Sequence, residues 1–312
     1  MENNTYPLID LHTDYVLSCY AKGVEYGSAK QINTGLLKTR NMRVILAGFS
    51  YDDLFGDTQI QVDTLLKETR KPGGPSLILS AEDYRRVMRH TSPGLIMHME
   101  GAGILQNSME RFGEYYRAGV RSVGLTHSAK NCLASGNREN PKEGLTAFGK
   151  RVVKELTRRH MVVDYAHLNR KGFYDVLSLT TGPVLVSHAN TQRYCPDPRN
   201  LTDEQIKEVA KRKGVVGVFF SGKYVRNDGV PPSIDDVVKH ACHIALVGGA
   251  GTVAFGSDFG GITTGLPRGL TSVADYPLLI SKLRTAGFND KELEGICWRN
   301  ADRVLLQTLS HA

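Results

Sequence analysis

Short β-rich runs recur along the chain, most of them separated by stretches of helical length. Eight read as strands: residues 7–14 (PLIDLHTD), 42–49 (MRVILAGF), 94–100 (GLIMHME), 120–127 (VRSVGLTH), 161–167 (MVVDYAH), 183–189 (PVLVSHA), 214–220 (GVVGVFF) and 252–259 (TVAFGSDF). The intervening pattern predicts helices over 57–69 with 81–90, then 107–118, 145–160, 170–181, 202–213 and 233–247. Two more follow the last strand, over 273–286 and 290–308. The stretch 202–213 carries its own start signal. Thr202 stands three residues before Gln205, the spacing of a capping box, and Ile206, Val209 and Ala210 supply an apolar stripe.

Strands alternating with helices give either a (β/α)8 barrel or a doubly wound open sheet. No GxGxxG follows an early strand, and the glycine clusters at 100–103 (EGAG) and 247–251 (VGGAG) have the wrong spacing for a dinucleotide fold. Polar residues instead gather at the carboxyl ends of many different strands, where barrels build their sites. The expected architecture is an α/β (β/α)8 TIM barrel, forming one domain over residues 1–312 without repeat or linker. Its longest loops, 17–35, 128–144, 190–201 and 221–232, all follow strands and so fall on the active face.

Composition narrows the class. At 41% hydrophobic and 23% charged residues, the chain can bury a sizeable core. Its net charge of +7 invites a nucleic-acid reading. The basic residues, however, are scattered through 38–43 (KTRNMR), 84–90 (YRRVMRH) and 153–160 (VKELTRRH), with no aromatic-interleaved basic motif. They read as a solvated surface. The five cysteines, Cys19, Cys132, Cys195, Cys242 and Cys297, are widely spaced and form no CxxC. Reduced thiols and a cytoplasmic location are expected. The start MENNTYPLID lacks the basic-then-apolar plan of a signal peptide, and no apolar run reaches the ~18 residues of a membrane span.

The strand ends carry the chemistry. His12 and Asp14 lie at the end of the first, Glu100 of the third, His127 of the fourth, His167 of the fifth, His188 of the sixth and Asp258 of the eighth. Side chains two apart on a strand share a face, so His12 and Asp14 point together. Singly, each residue has a structural role open to it: a hydrogen-bonded histidine, or a carboxylate capping a loop beside Gly101 or Phe259. Their convergence on one rim is different. Burying so many imidazoles and carboxylates is costly unless something compensates them. A divalent metal does, and this donor set suits zinc. The other histidines fit structural or solvent-facing positions. His90 and His160 end helices, His240 and His243 lie on one, His98 sits on a strand ahead of the site, and His311 is near the end of the chain.

Taken in order, HTD at 12–14, the segments 144–169, 182–190, 199–220 and 253–261, and WRNADRVL at 298–305 resemble the membrane (renal) dipeptidase family in its bacterial branch. These are zinc metallopeptidases of the amidohydrolase group, and the resemblance spans essentially the whole chain. It implies two zinc ions, one held by His12 and Asp14 and one by His167 and His188, with Glu100 bridging both. It implies that His127 and Arg199 contact substrate and that Asp258 handles protons. It further implies a homodimer that hydrolyses dipeptides, including those with a C-terminal D-residue, through a hydroxide shared by the metals. The residue chemistry is compatible. An arginine grips a carboxylate with a bidentate fork, an imidazole can stabilise an oxyanion, and a carboxylate can carry a proton from water to a leaving amine.

The chain departs from the family pattern at Gly260, where a carboxylate is usual, at Ala166 for a serine, at Phe219 for an asparagine, and in EGAG for a double glycine. These changes bear on side-chain preference and touch no expected ligand. A lactone, cyclic-amide or phosphotriester hydrolase is the alternative. Many of these bridge their metals with a modified lysine ending strand four, where this chain has Thr126-His127 and places Lys130 in the loop. A catalytically idle barrel is a second alternative, although it would be free to lose the ligands retained here.

Overall fold

The computed structural model describes residues 6–20, 30–53, 57–90 and 92–310. The expected strands form as β1 (Leu8–Thr13), β2 (Met42–Ser50), β3 (Gly94–Glu100), β4 (Val120–Gly124), β5 (Val162–Asp164), β6 (Leu185–Ala189), β7 (Val215–Val218) and β8 (Val253–Phe255). Every neighbouring pair is parallel, and the sheet closes where Asp10 of β1 registers with Phe255 of β8. A closed parallel sheet has no edge. It excludes the doubly wound alternative and makes the fold a (β/α)8 barrel. A two-residue strand, Ser76–Leu77, pairs with the start of β3, below the point where β4 joins it.

Two clusters of buried side chains divide the core. One joins Ile9, Leu11, Val44, Leu46, Ile96, Val162, Leu185, Val215 and Ala254 with Ala301, Val304, Leu305 and Leu309. Residues from seven strands meeting in one cluster must fill the barrel interior, with the helix Asn300–Leu309 closing its lower end. The other lies between the strands and the surrounding helices. The strand termini that carry polar residues therefore open at the opposite end.

The predicted helices form within a few residues of expectation. Thr202 and Gln205 make the capping box, and Ile206 and Val209 are buried. A π-helical turn, Gly295–Arg299, divides the segment read as one helix over 290–308. The loop expected over 17–35 begins and ends in short helices, Tyr15–Tyr20 and Thr34–Thr39. Its residues 21–29, like His311, lie outside the described residues. Among the described residues, no helix is long and apolar enough to cross a membrane.

Candidate active site

Alternation on β1 directs Ile9 and Leu11 into the barrel and would direct His12 outward. The register of β1 against β2 breaks between Asp10 and Thr13, and that of β6 against β7 breaks between Val186 and Ala189. Such irregularities re-aim side chains. They bring His12 and His188 onto the interior rim, with their rings stacked at 3.9 Å. His167 and Asp258 reach the rim differently. Both lie beyond the last ladder pair, with φ of 64° and 62°. Left-handed backbone at a non-glycine residue costs of order 1–3 kcal/mol and persists only where its surroundings hold it. This is why the strands predicted to run to 167 and 259 stop at Asp164 and Phe255.

Two buried aspartates hold these turns. Asp10 accepts from Ser257 N (2.9 Å), Ser257 Oγ (2.6 Å), Tyr276 OH (2.5 Å) and His12 N (3.3 Å). It thereby ties β1 to the turn that carries Asp258. Asp164 accepts from Ala166 N (3.0 Å), Ser187 N (2.8 Å) and the Ser187 hydroxyl. Ser187 Oγ also lies 2.8 Å from His188 Nδ1. With the serine donating to Asp164, His188 donates through Nδ1 and turns the lone pair of Nε2 to the site.

Glu100 stands at the centre, and its two oxygens face different partners. Oε2 lies 3.5 Å from His12 Nε2. Oε1 lies 2.9 Å from His167 Nε2 and 3.3 Å from His188 Nε2. His12 Nε2 is in turn 3.8 Å from Asp14 Oδ1 and 3.6 Å from Asp258 Oδ1. Three overlapping sets of donor atoms, each within 4.8 Å of one another, follow: His12, Glu100 and His188; Glu100, His127 and His167; His12, Asp14 and Asp258.

The cluster fits a metal. His12 Nε2, Asp14 Oδ1 and Glu100 Oε2 are buried, converge, and complete no hydrogen bond. Burial, followed by Arg199 for His167 and by His12 for His188, holds both imidazoles well below the usual histidine range, so they are neutral, the form in which an imidazole can bind a metal. Burial, and next Asp14, pushes Asp258 well above the usual carboxylate range. Burial opposes charge on His12, but Glu100, Asp14 and Asp258 outweigh it and raise His12 to about 10. Carboxylates gathered this closely favour positive charge among them, which a divalent ion would supply.

Arg199 is buried beside the cluster, with Nη2 3.2 Å from His167 Nε2 and its guanidinium 5.0 Å above the Phe219 ring. Its Nε and Nη1 complete no hydrogen bond. A cavity of about 340 Å³ adjoins it, lined in part by Asn137, Ala166, His167 and Leu168. His127 places its ring 4.4 Å from that of His167. Burial first, and then Arg199, lowers its pKa to about 4, which leaves it a neutral donor.

Comparison with known proteins places this geometry in a family. The family model described as Membrane dipeptidase (Peptidase family M19) matches residues 3–312. The chain belongs to the membrane dipeptidase family. A protein of the pqqA 5′ region of Klebsiella pneumoniae is 37% identical over 238 residues, 73% of this chain and 87% of that protein. A dipeptidase of Schizosaccharomyces pombe is 29% identical over 335 residues, 96% of this chain and 80% of that one. A metallopeptidase of Rhodobacter sphaeroides, liganded with a phosphinate mimic of the dipeptide L-Ala-D-Ala, superposes with a TM-score of 0.86 at 24% identity, covering 98% and 100% of the two chains. This membrane dipeptidase homologue is a metal-dependent hydrolase acting on dipeptides.

The family departures acquire a structural setting. In this dipeptidase Gly260 has φ 102°, and a Cβ there would lie 2.4 Å from the backbone oxygen of Asp14. Phe219 lies under Arg199 and edge-on to His188 at 4.9 Å. Ala166 lines the cavity. His98 is buried below the site, with Nδ1 2.8 Å from Ser122 Oγ. His240 and His243 are tied to Val225 O and Asp203, each at 2.8 Å, away from the cluster. Sequence reasoning missed Asp10 and Asp164. Both did leave a trace: a lone carboxylate inside an apolar run, two or three residues before a rim histidine.

Proposed function

We propose that this chain is a binuclear zinc dipeptidase that hydrolyses dipeptides, those with a C-terminal D-residue included. The sharing of Glu100 between His12 on one oxygen and His167 with His188 on the other carries the reading. His12 and Asp14 would hold one ion and His167 and His188 the second, with Glu100 common to both. Bound there, zinc supplies Lewis acidity: it makes water nucleophilic near neutral pH and polarises the scissile carbonyl.

The protein's own groups do the rest. Asp258 accepts the proton of the attacking water and returns it to the departing amine. Neutral His127 donates to the oxygen on which negative charge develops. Arg199 grips the substrate's terminal carboxylate through its guanidinium fork, in which Nε and Nη1 complete no bond in the protein. That grip sets the distance from the carboxylate to the cut and favours dipeptides over longer chains. The adjoining cavity of about 340 Å³ gives room for a side chain.

A homodimer and a cytoplasmic location complete the proposal, the latter supported by five free cysteines. The test is a screen of zinc-loaded enzyme against L,L and L,D dipeptides with blocked-carboxylate controls, alongside metal analysis. Two zinc equivalents and turnover confined to free dipeptides are expected. A folded protein that retains no metal would instead favour the idle barrel.

A further inference from the structure

Three consecutive non-glycine residues have positive φ where β2 ends: Ser50 (97°), its last residue, then Tyr51 (44°) and Asp52 (59°). The outer two are fastened. Ser50 N donates to Gln61 Oε1 at 3.1 Å, and Ser50 Oγ donates to Gly101 O at 3.0 Å. The Asp52 carboxylate accepts from Gly103 N (2.9 Å), Asn131 Nδ2 (2.7 Å) and His127 N (3.1 Å). A backbone that residues with side chains rarely adopt is thus over-determined by its neighbours, a feature that clusters at active sites.

What the turn achieves is the placement of one side chain. The Tyr51 ring stands edge-on to His127, centroids 5.6 Å apart and planes at 79°. Its hydroxyl is buried and completes no hydrogen bond. It lies among Asp14, Glu100 and Asp258. A buried donor without a partner calls for an explanation. The three carboxylates are the proposed ligands and proton carrier, so the new charge it can meet is one that appears during reaction.

We infer that Tyr51 is a catalytic residue, donating through its hydroxyl, beside His127, to the oxyanion formed on the scissile carbonyl. This rests on the dipeptidase reading above. Water adds to the carbonyl carbon as its proton passes to Asp258, and the π pair of the C=O bond moves onto oxygen. Tyr51 and His127 donate to that oxygen. The C=O bond then re-forms, the C–N bond breaks, and Asp258 returns the proton to nitrogen. Tyr51 keeps its own proton throughout.

The test compares wild type and Tyr51→Phe as full-length, zinc-loaded protein. Dipeptide turnover is read kinetically and binding of a phosphinate dipeptide mimic by calorimetry. The variant should keep its zinc content and thermal midpoint, lose about 10²-fold in kcat with KM within about twofold, and bind the phosphinate about 10²-fold more weakly. Unchanged phosphinate binding would overturn the inference, as would a loss of zinc or of thermal stability in step with activity. A wild type that binds the phosphinate yet cuts no dipeptide would sink the dipeptidase reading instead.

Discussion

At Asp258 the left-handed backbone swings a carboxylate off the strand line until Oδ1 lies 3.6 Å from His12 Nε2. Asp258→Asn keeps the shape and removes the proposed proton carrier. Zinc analysis of this variant should still find the wild-type content, while kcat drops by about 10²–10⁴-fold. Full activity would remove Asp258 from the mechanism. Arg199 makes a separate claim. Its guanidinium is buried over Phe219, and two of its nitrogens complete no hydrogen bond. A lysine offers one point charge in place of a planar fork. Arg199→Lys should therefore raise KM about tenfold or more for free dipeptides and far less for carboxylate-blocked ones. Equal effects on both substrates would show that the arginine is not the clamp.

The strands supply positions that no single residue could hold. β5 and β6 meet through Asp164, which fastens Ser187 and through it His188. Ser187→Ala cuts that chain without touching a proposed ligand. Zinc affinity, measured by competition with a chelator, should weaken about 10–100-fold, the range seen when groups behind a metal-bound histidine are removed. Unaltered affinity would mean that packing alone orients His188. The breaks in register on β1 and β6 belong to this scale as well. They turn two histidines inward where strict alternation would send His12 out.

Across the whole molecule, the barrel floor is apolar and closed by the helix Asn300–Leu309, while the rim gathers like charges that oppose one another. Zinc bound there, as proposed, would relieve that opposition only in the folded state and so would stabilise by mass action, by about 4 kcal/mol at a thousandfold excess over Kd. For a chain of this size, that predicts a fall in Tm of about 6 °C on chelation, reversed by zinc, in calorimetry. We propose that all 312 residues form one domain; two separate thermal transitions would contradict it.

The order of strands and helices was legible along the chain, and so were the imidazoles and carboxylates that gather at the rim. Hydrophobic periodicity reports burial locally, and a histidine or carboxylate declares its chemistry wherever it stands. Thr202 with Gln205 was read correctly for the same reason, since a capping box spans four residues. Who faces whom was not legible. The division of Glu100 between two sets of histidines, the inward turn of His12, the grip of Asp10 on Ser257 and the thrust of Tyr51 toward three carboxylates all join segments distant in sequence. They are decided by barrel closure, strand register and positive-φ turns, which many non-local contacts set together. Composition and spacing therefore determined the parts and their chemistry, and the tertiary structure alone determined their distances.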